Sequence, residues 1–97
     1  MHYKLSLQAE SDLEDILISG ILTFGDLQAL KYQDSFKRTF ELLAYMPTIG
    51  RKSQRGRDNE YRFLHGSHTI YYRTEETKVI IETIIHGSII TNLWGGD

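Results

Sequence analysis

A chain of 97 residues, 40% hydrophobic and 25% charged, has room for one ordinary globular domain over residues 1–97, and such a domain buries roughly 60–65% of its unfolded surface. It contains no cysteine, which rules out disulfides and thiolate metal sites and suits a reducing compartment, so the cytoplasm is the expected location. A formal charge of −2 discourages tight binding to nucleic acid, and no apolar run is long enough to suggest export or a membrane span.

In chain order, His2 to Leu7 places Tyr3, Leu5 and Leu7 on one face at period two, the pattern of a half-buried strand. The next segment carries Leu13, Ile16, Leu17, Gly20, Ile21 and Phe24 at spacings of three and four, which predicts a helix; Ser6 or a Ser11…Glu14 box is its N-terminal signal. Gly25 ends it. Asp26 is placed to cap a second helix whose inward stripe is Ala29, Tyr32, Phe36, Phe40 and Leu43, and Pro47 stops it. So short a turn folds the two helices back as an antiparallel hairpin. Arg51, Lys52, Arg55 and Arg57 then concentrate positive charge in a polar stretch that reads as a solvated loop or as a contact patch for an acidic surface. Residues 1–50 hold four Lys/Arg against seven Asp/Glu, whereas 51–97 hold seven against six.

Glu60–Leu64 and His68–Arg73 flank His65-Gly66-Ser67 and predict an antiparallel strand hairpin. Lys78 to His86, with Val79, Ile80, Ile81, Ile84 and Ile85, predicts a central strand covered on at least one face. The expected fold class is therefore α/β (α+β), ordered β-α-α-β-β-β, with the helical hairpin on one face of a mainly antiparallel sheet.

Several short motifs occur in this same order. They are Ala9…Asp12-Leu13-Glu14-Asp15-Ile16, Phe24-Gly25…Gln28-Ala29…Tyr32, Phe40-Glu41-Leu42-Leu43-Ala44…Pro47…Ile49-Gly50-Arg51, Tyr61-Arg62, Gly66-Ser67-His68…Ile70…Tyr72-Arg73 and Ile84-Ile85-His86. Each is weak alone. Together, from Tyr3 to His86, they make the chain resemble ParE-type toxins of the RelE/ParE superfamily. The resemblance implies a toxin neutralised by a co-encoded, ParD-like antitoxin; ParE relatives typically poison DNA gyrase, and RelE relatives cut messenger RNA on the ribosome.

Chemistry separates the two branches. Cleaving RNA at a 2′-hydroxyl calls for several cationic groups and a proton-transfer group around the phosphate, and RelE-type enzymes carry much of this near the C-terminus. Here Gly87 to Asp97 contains no Lys, Arg, His or Tyr, and the positions one and two residues beyond His86, where many relatives have Arg, are Gly87 and Ser88. The residues also offer no nucleophile constellation or phosphate cradle, so no cofactor and no metal are expected. The expectation is a noncatalytic inhibitor of gyrase. Two alternatives stand beside it: a ribosome-dependent endoribonuclease, and an inactive relative kept as an antitoxin-binding module. Candidate target contacts are Arg55, Arg57, Arg62, Arg73 and His86, while Arg51 could instead reach back to carbonyls ending the second helix. Leu17, Ile21 and Leu27 are candidate antitoxin contacts at the rim of the helical hairpin. Trp94 could clasp the core or serve as a contact residue.

Overall fold

The structure, a computed structural model, describes residues 1–53 and 57–87. Its elements are β1 (His2–Leu5), α1 (Leu7–Phe24), α2 (Asp26–Tyr45), β2 (Arg51–Lys52), β3 (Glu60–His65), β4 (His68–Thr74) and β5 (Lys78–His86). One five-stranded sheet has the order β1-β5-β4-β3-β2, with β1 parallel to β5 and the other neighbours antiparallel. Both helices pack on one face of it. The expected architecture is present, with the two-residue strand β2 added.

Local chemistry explains where the elements begin and end. β1 stops at Leu5 rather than Leu7 because Ser6 turns the chain: its N–H donates to Ile81 O at 2.9 Å and its Oγ accepts from Ala9 N at 3.0 Å, capping α1. Ser6, not Ser11, is therefore the cap. Gly25, at φ 89°, closes α1 by donating to Ile21 O and is also the N-cap of α2. Asp26 was expected as that cap but is instead the first helical residue, where its carboxylate favours the helix dipole without a capping bond. The helices approach closely at Gly20, where a Cβ would meet Ala29 Cβ at 3.2 Å.

The core lies between α2 and the sheet: Phe36, Phe40, Leu43, Ile70, Tyr72, Val79 and Ile81 are buried, with Tyr3 packed on Phe40 at 5.5 Å. Tyr61 and Tyr72 stack at 5.4 Å. The Tyr72 hydroxyl donates to Pro47 O at 2.8 Å and accepts from Gly50 N at 3.0 Å, pinning the segment between α2 and β2 under the sheet. Gly50 has no room for a side chain, since a Cβ there would lie 2.6 Å from both Arg62 O and the Tyr72 hydroxyl.

β4 and β5 change register between Tyr71 and Tyr72, which leaves Glu82 as an extra residue on β5. This bulge anchors α1. Ser6 Oγ donates to Glu82 O at 2.7 Å, and Asp12 Oδ2 accepts from Thr83 Oγ1 at 2.7 Å and from Ile84 N at 2.9 Å. Among the described residues, no helix is long and apolar enough to cross a membrane.

Candidate functional site

The two helices differ in how much they bury. α2 buries Ala29, Phe36, Thr39, Phe40, Leu43 and Ala44, but the 18 residues of α1 bury only Ala9. Anchored at Asp12 and carrying a second apolar stripe, α1 runs toward a hairpin end that exposes Ile18, Ile21, Leu22, Phe24, Leu27 and Leu30. Leu22 is 83% exposed, Phe24 71% and Leu27 70%, far above the scattered single apolar residues of an ordinary surface. Of the three candidate antitoxin contacts, Leu27 and Ile21 belong to this exposed set, and Leu17 is half-buried beside it. Next to this end opens a groove of about 700 Å³ between α1, α2 and the ends of β4 and β5, lined among others by Asp12, Ile16, Phe24, Tyr32, His68 and His86.

Tyr32 and His68, which line the groove, belong to a bonded aromatic cluster. Tyr32 donates to His65 O at 3.2 Å, which leaves its oxygen to accept from His68 Nδ1, 2.7 Å away. Ser35 Oγ donates to Tyr32 O at 2.5 Å, so His65 Nε2–H donates to Ser35 Oγ at 2.7 Å, and His65 Nδ1 accepts from Thr39 Oγ1 at 3.1 Å. Both imidazoles satisfy these bonds in their neutral form. Burial lowers the pKa of each; Arg38 lowers that of His65 further, and His86 and His65 do the same for His68. Gly66 lies under the cluster at φ 59°, where a Cβ would sit 2.5 Å from the Tyr32 hydroxyl. His65 and His68, which in sequence merely flank a turn, thus fasten the β3–β4 hairpin to α2.

The cationic candidates occupy another surface. Strand alternation turns Tyr61 and Tyr72 toward the helices and Arg62, Tyr71 and Arg73 to the opposite face. Arg73 is held by its own molecule, with Nη1 2.8 Å from Glu82 and Nη2 3.1 Å from Glu75, and these contacts raise its pKa. Arg62 pairs across strands with Arg51, and Arg57 is exposed. Arg51 therefore extends the sheet, where a solvated loop was expected, because Arg51 and Lys52 pair with Arg62 and Tyr61 and Ser53 N donates to Glu60 O at 2.8 Å. No described hydrogen bond takes the Arg51 guanidinium back to the carbonyls of α2. His86 lies on the helical side instead, its ring 4.9 Å from His68 at the groove mouth. The structure thus brings Arg57 and Arg62 into the same sheet half, ties Arg73 into an ion-pair cluster and sets His86 apart; Arg55 and Trp94 lie outside the described residues. Among the described residues, no group of three His, Cys, Asp or Glu is placed to hold a metal ion.

Ile18, Leu22, Phe24 and Leu30 were not singled out as contacts from sequence. Their signal was available, because Ile18 and Leu22 fall off the stripe of α1 and leave the helix apolar on more than one face. Tyr32 and His68 carried no such signal, since their meeting depends on how α2 lies over the sheet.

Comparison with known proteins bears on this arrangement. The profile of a family described as "ParE toxin of type II toxin-antitoxin system, parDE" matches residues 3–90. The chain is 32% identical over 87 residues to Toxin ParE1 of Caulobacter vibrioides, covering 90% of each protein. Its fold is similar to a chain of the chromosomal ParDE system from P. aeruginosa, with a TM-score of 0.75 and 19% identity, over 89% of this chain and 95% of that one. A chain of the RelBE2 toxin–antitoxin complex from Mycobacterium tuberculosis matches with a TM-score of 0.57 and 18% identity, over 88% and 95%.

Proposed function

The chain belongs to the ParE toxin family of type II toxin–antitoxin systems, and from that premise we propose that it inhibits DNA gyrase by binding, without catalysing a reaction, until a co-encoded, ParD-like antitoxin masks it. The observation that carries the antitoxin half is the unburied apolar end of the helical hairpin beside an open groove. A helical or extended antitoxin tail can lay apolar side chains over Ile21, Leu22 and Leu27 and order as it binds. The same surface left uncovered would be an association hazard.

Binding rather than catalysis is supported by where the acid–base groups go. His65 has both ring nitrogens engaged, with Ser35 and Thr39, and His68 Nδ1 is committed to Tyr32. Residues Gly87 to Asp97 bring no Lys, Arg, His or Tyr. A toxin acting by occlusion or by trapping another enzyme's intermediate needs complementary surface instead. Arg57 and Arg62, together with Arg55, are the proposed contacts to carboxylates or DNA phosphates of a gyrase–DNA complex; His86 contributes less, and Arg73, already paired with Glu75 and Glu82, contributes none.

The test puts the purified chain beside gyrase with supercoiled DNA and, separately, beside programmed ribosomes. Gyrase inhibition relieved by the antitoxin, with messages left intact, is the expected result. Specific cuts in ribosome-bound messages would replace this reading with the endoribonuclease one.

A further inference from the structure

Arg51 and Arg62 sit directly opposite one another on the antiparallel β2–β3 pair. Their neighbours Lys52 and Tyr61 form the next row, in which Lys52 Nζ lies 5.2 Å from the Tyr61 ring centre on the helical side of the sheet. Alternation therefore sends both arginines to the opposite face. Like charges directly opposite on an antiparallel pair work against strand pairing, and β2 has only two residues with which to resist them. Among the described residues, neither arginine has an ion-pair partner, although Glu60 lies two positions from Arg62 on the same face. Arg73, on that face too, is neutralised twice over by Glu75 and Glu82. The contrast leaves the Arg51–Arg62 pair, among the described residues, with its charge available to an anion.

We infer that Arg51 and Arg62 form a clamp for one backbone phosphate of nucleic acid. Side chains opposite each other on an antiparallel pair start about 5 Å apart, so two guanidinium forks can grip the two non-bridging oxygens of a phosphodiester from either side. Tyr71 follows Arg62 in the same cross-strand row. With a net charge of −2, the chain gathers free nucleic acid only weakly, so the clamp works where DNA is already held by another protein. The inference deepens the gyrase reading and rests on it for the source of that DNA.

The test measures binding of a short DNA duplex to the antitoxin-free chain as salt is varied, comparing wild type with the Arg51→Gln, Arg62→Gln double variant and an Arg73→Gln control. Wild type should bind weakly at low salt. The double variant should lose about tenfold or more in affinity and show a slope of log K against log salt shallower by roughly one, while Arg73→Gln changes neither. Melting curves serve as the fold control, and relief of the like-charge contact should leave the double variant no less stable than wild type. Absence of duplex binding at low salt, an unchanged slope, or an equal effect from Arg73→Gln would overturn the clamp. So would competition by an oligoglutamate peptide matching that of the duplex, which would assign the pair to an acidic protein surface. Gyrase is assayed on the same proteins. If wild type leaves gyrase unaffected while the slope result holds, the target reading fails and the phosphate site stands; equal poisoning by wild type and double variant overturns the clamp and spares the reading.

Discussion

His65 and His68 couple folding to mildly acidic pH. Both have native pKa values below the ordinary 6.5, chiefly through burial, so the unfolded chain binds protons first as pH falls. Their neutral packing is fully compatible with folding above about 6.5 and becomes a liability as pH drops through that value toward the lowered native ones. The melting temperature should fall from pH 7.5 to pH 5, and His68→Gln should shrink that fall; a drop of the same size in this variant would remove His68 from the explanation. Tyr72 gives a second residue-scale prediction. Replacing it with Phe strands the Gly50 N–H and the Pro47 carbonyl, at a cost of about 1–3 kcal/mol in a denaturant titration. A cost near zero would mean that water replaces the hydroxyl. Strand alternation sends one of Tyr71 and Tyr72 inward, but neither which one nor its bonds to Pro47 and Gly50, more than 20 positions away, can be read from periodicity. The histidines were less legible still: periodicity reports which face a side chain takes, not which hydroxyls wait there.

At the scale of elements, chain punctuation was read well where a single residue decides it and less well where two signals compete. Gly25 ends α1 and Pro47 follows the end of α2 as their chemistry requires. Ser6 and Ser11 offered rival starts for α1, and the choice fell to Ser6 because its backbone and hydroxyl also satisfy Ile81 and Glu82 on β5, a tertiary cause. β2 could not be read from two polar residues, since its existence depends on Arg62 and Tyr61 being alongside. The helical hairpin yields the prediction at this scale. Leu22→Ser with Leu27→Ser removes side chains that are already in solvent, so stability should change by no more than about 0.5 kcal/mol per site. Affinity for the co-expressed antitoxin should fall about ten- to hundredfold for each leucine that the tail covers, as burial of a leucine contributes about 1.5–3 kcal/mol. Titration calorimetry reads this directly, and unaltered affinity would move the antitoxin site elsewhere.

Across the whole molecule, the sheet separates two surfaces. The helical side ends in an apolar hairpin and groove, while the other side carries Arg51 and Arg62. The order of elements and the helix-on-sheet layering were legible because each element's periodicity is strong. The placement of the candidate residues on opposite faces was not, because it depends on strand order and on the bulge at Glu82, which bring His86 to one side and leave Arg62 on the other. A tail seated on the hairpin can therefore leave the arginine face open unless it continues around the sheet edge, and full neutralisation implies a tail long enough to reach both. The central claim, that this chain poisons gyrase by binding, is tested most directly by the yield of gyrase–DNA cleavage complexes when purified chain is titrated in, with and without antitoxin. The account predicts a saturating, stoichiometric rise that equimolar antitoxin abolishes; a yield that stays at background at every concentration of folded chain would contradict it.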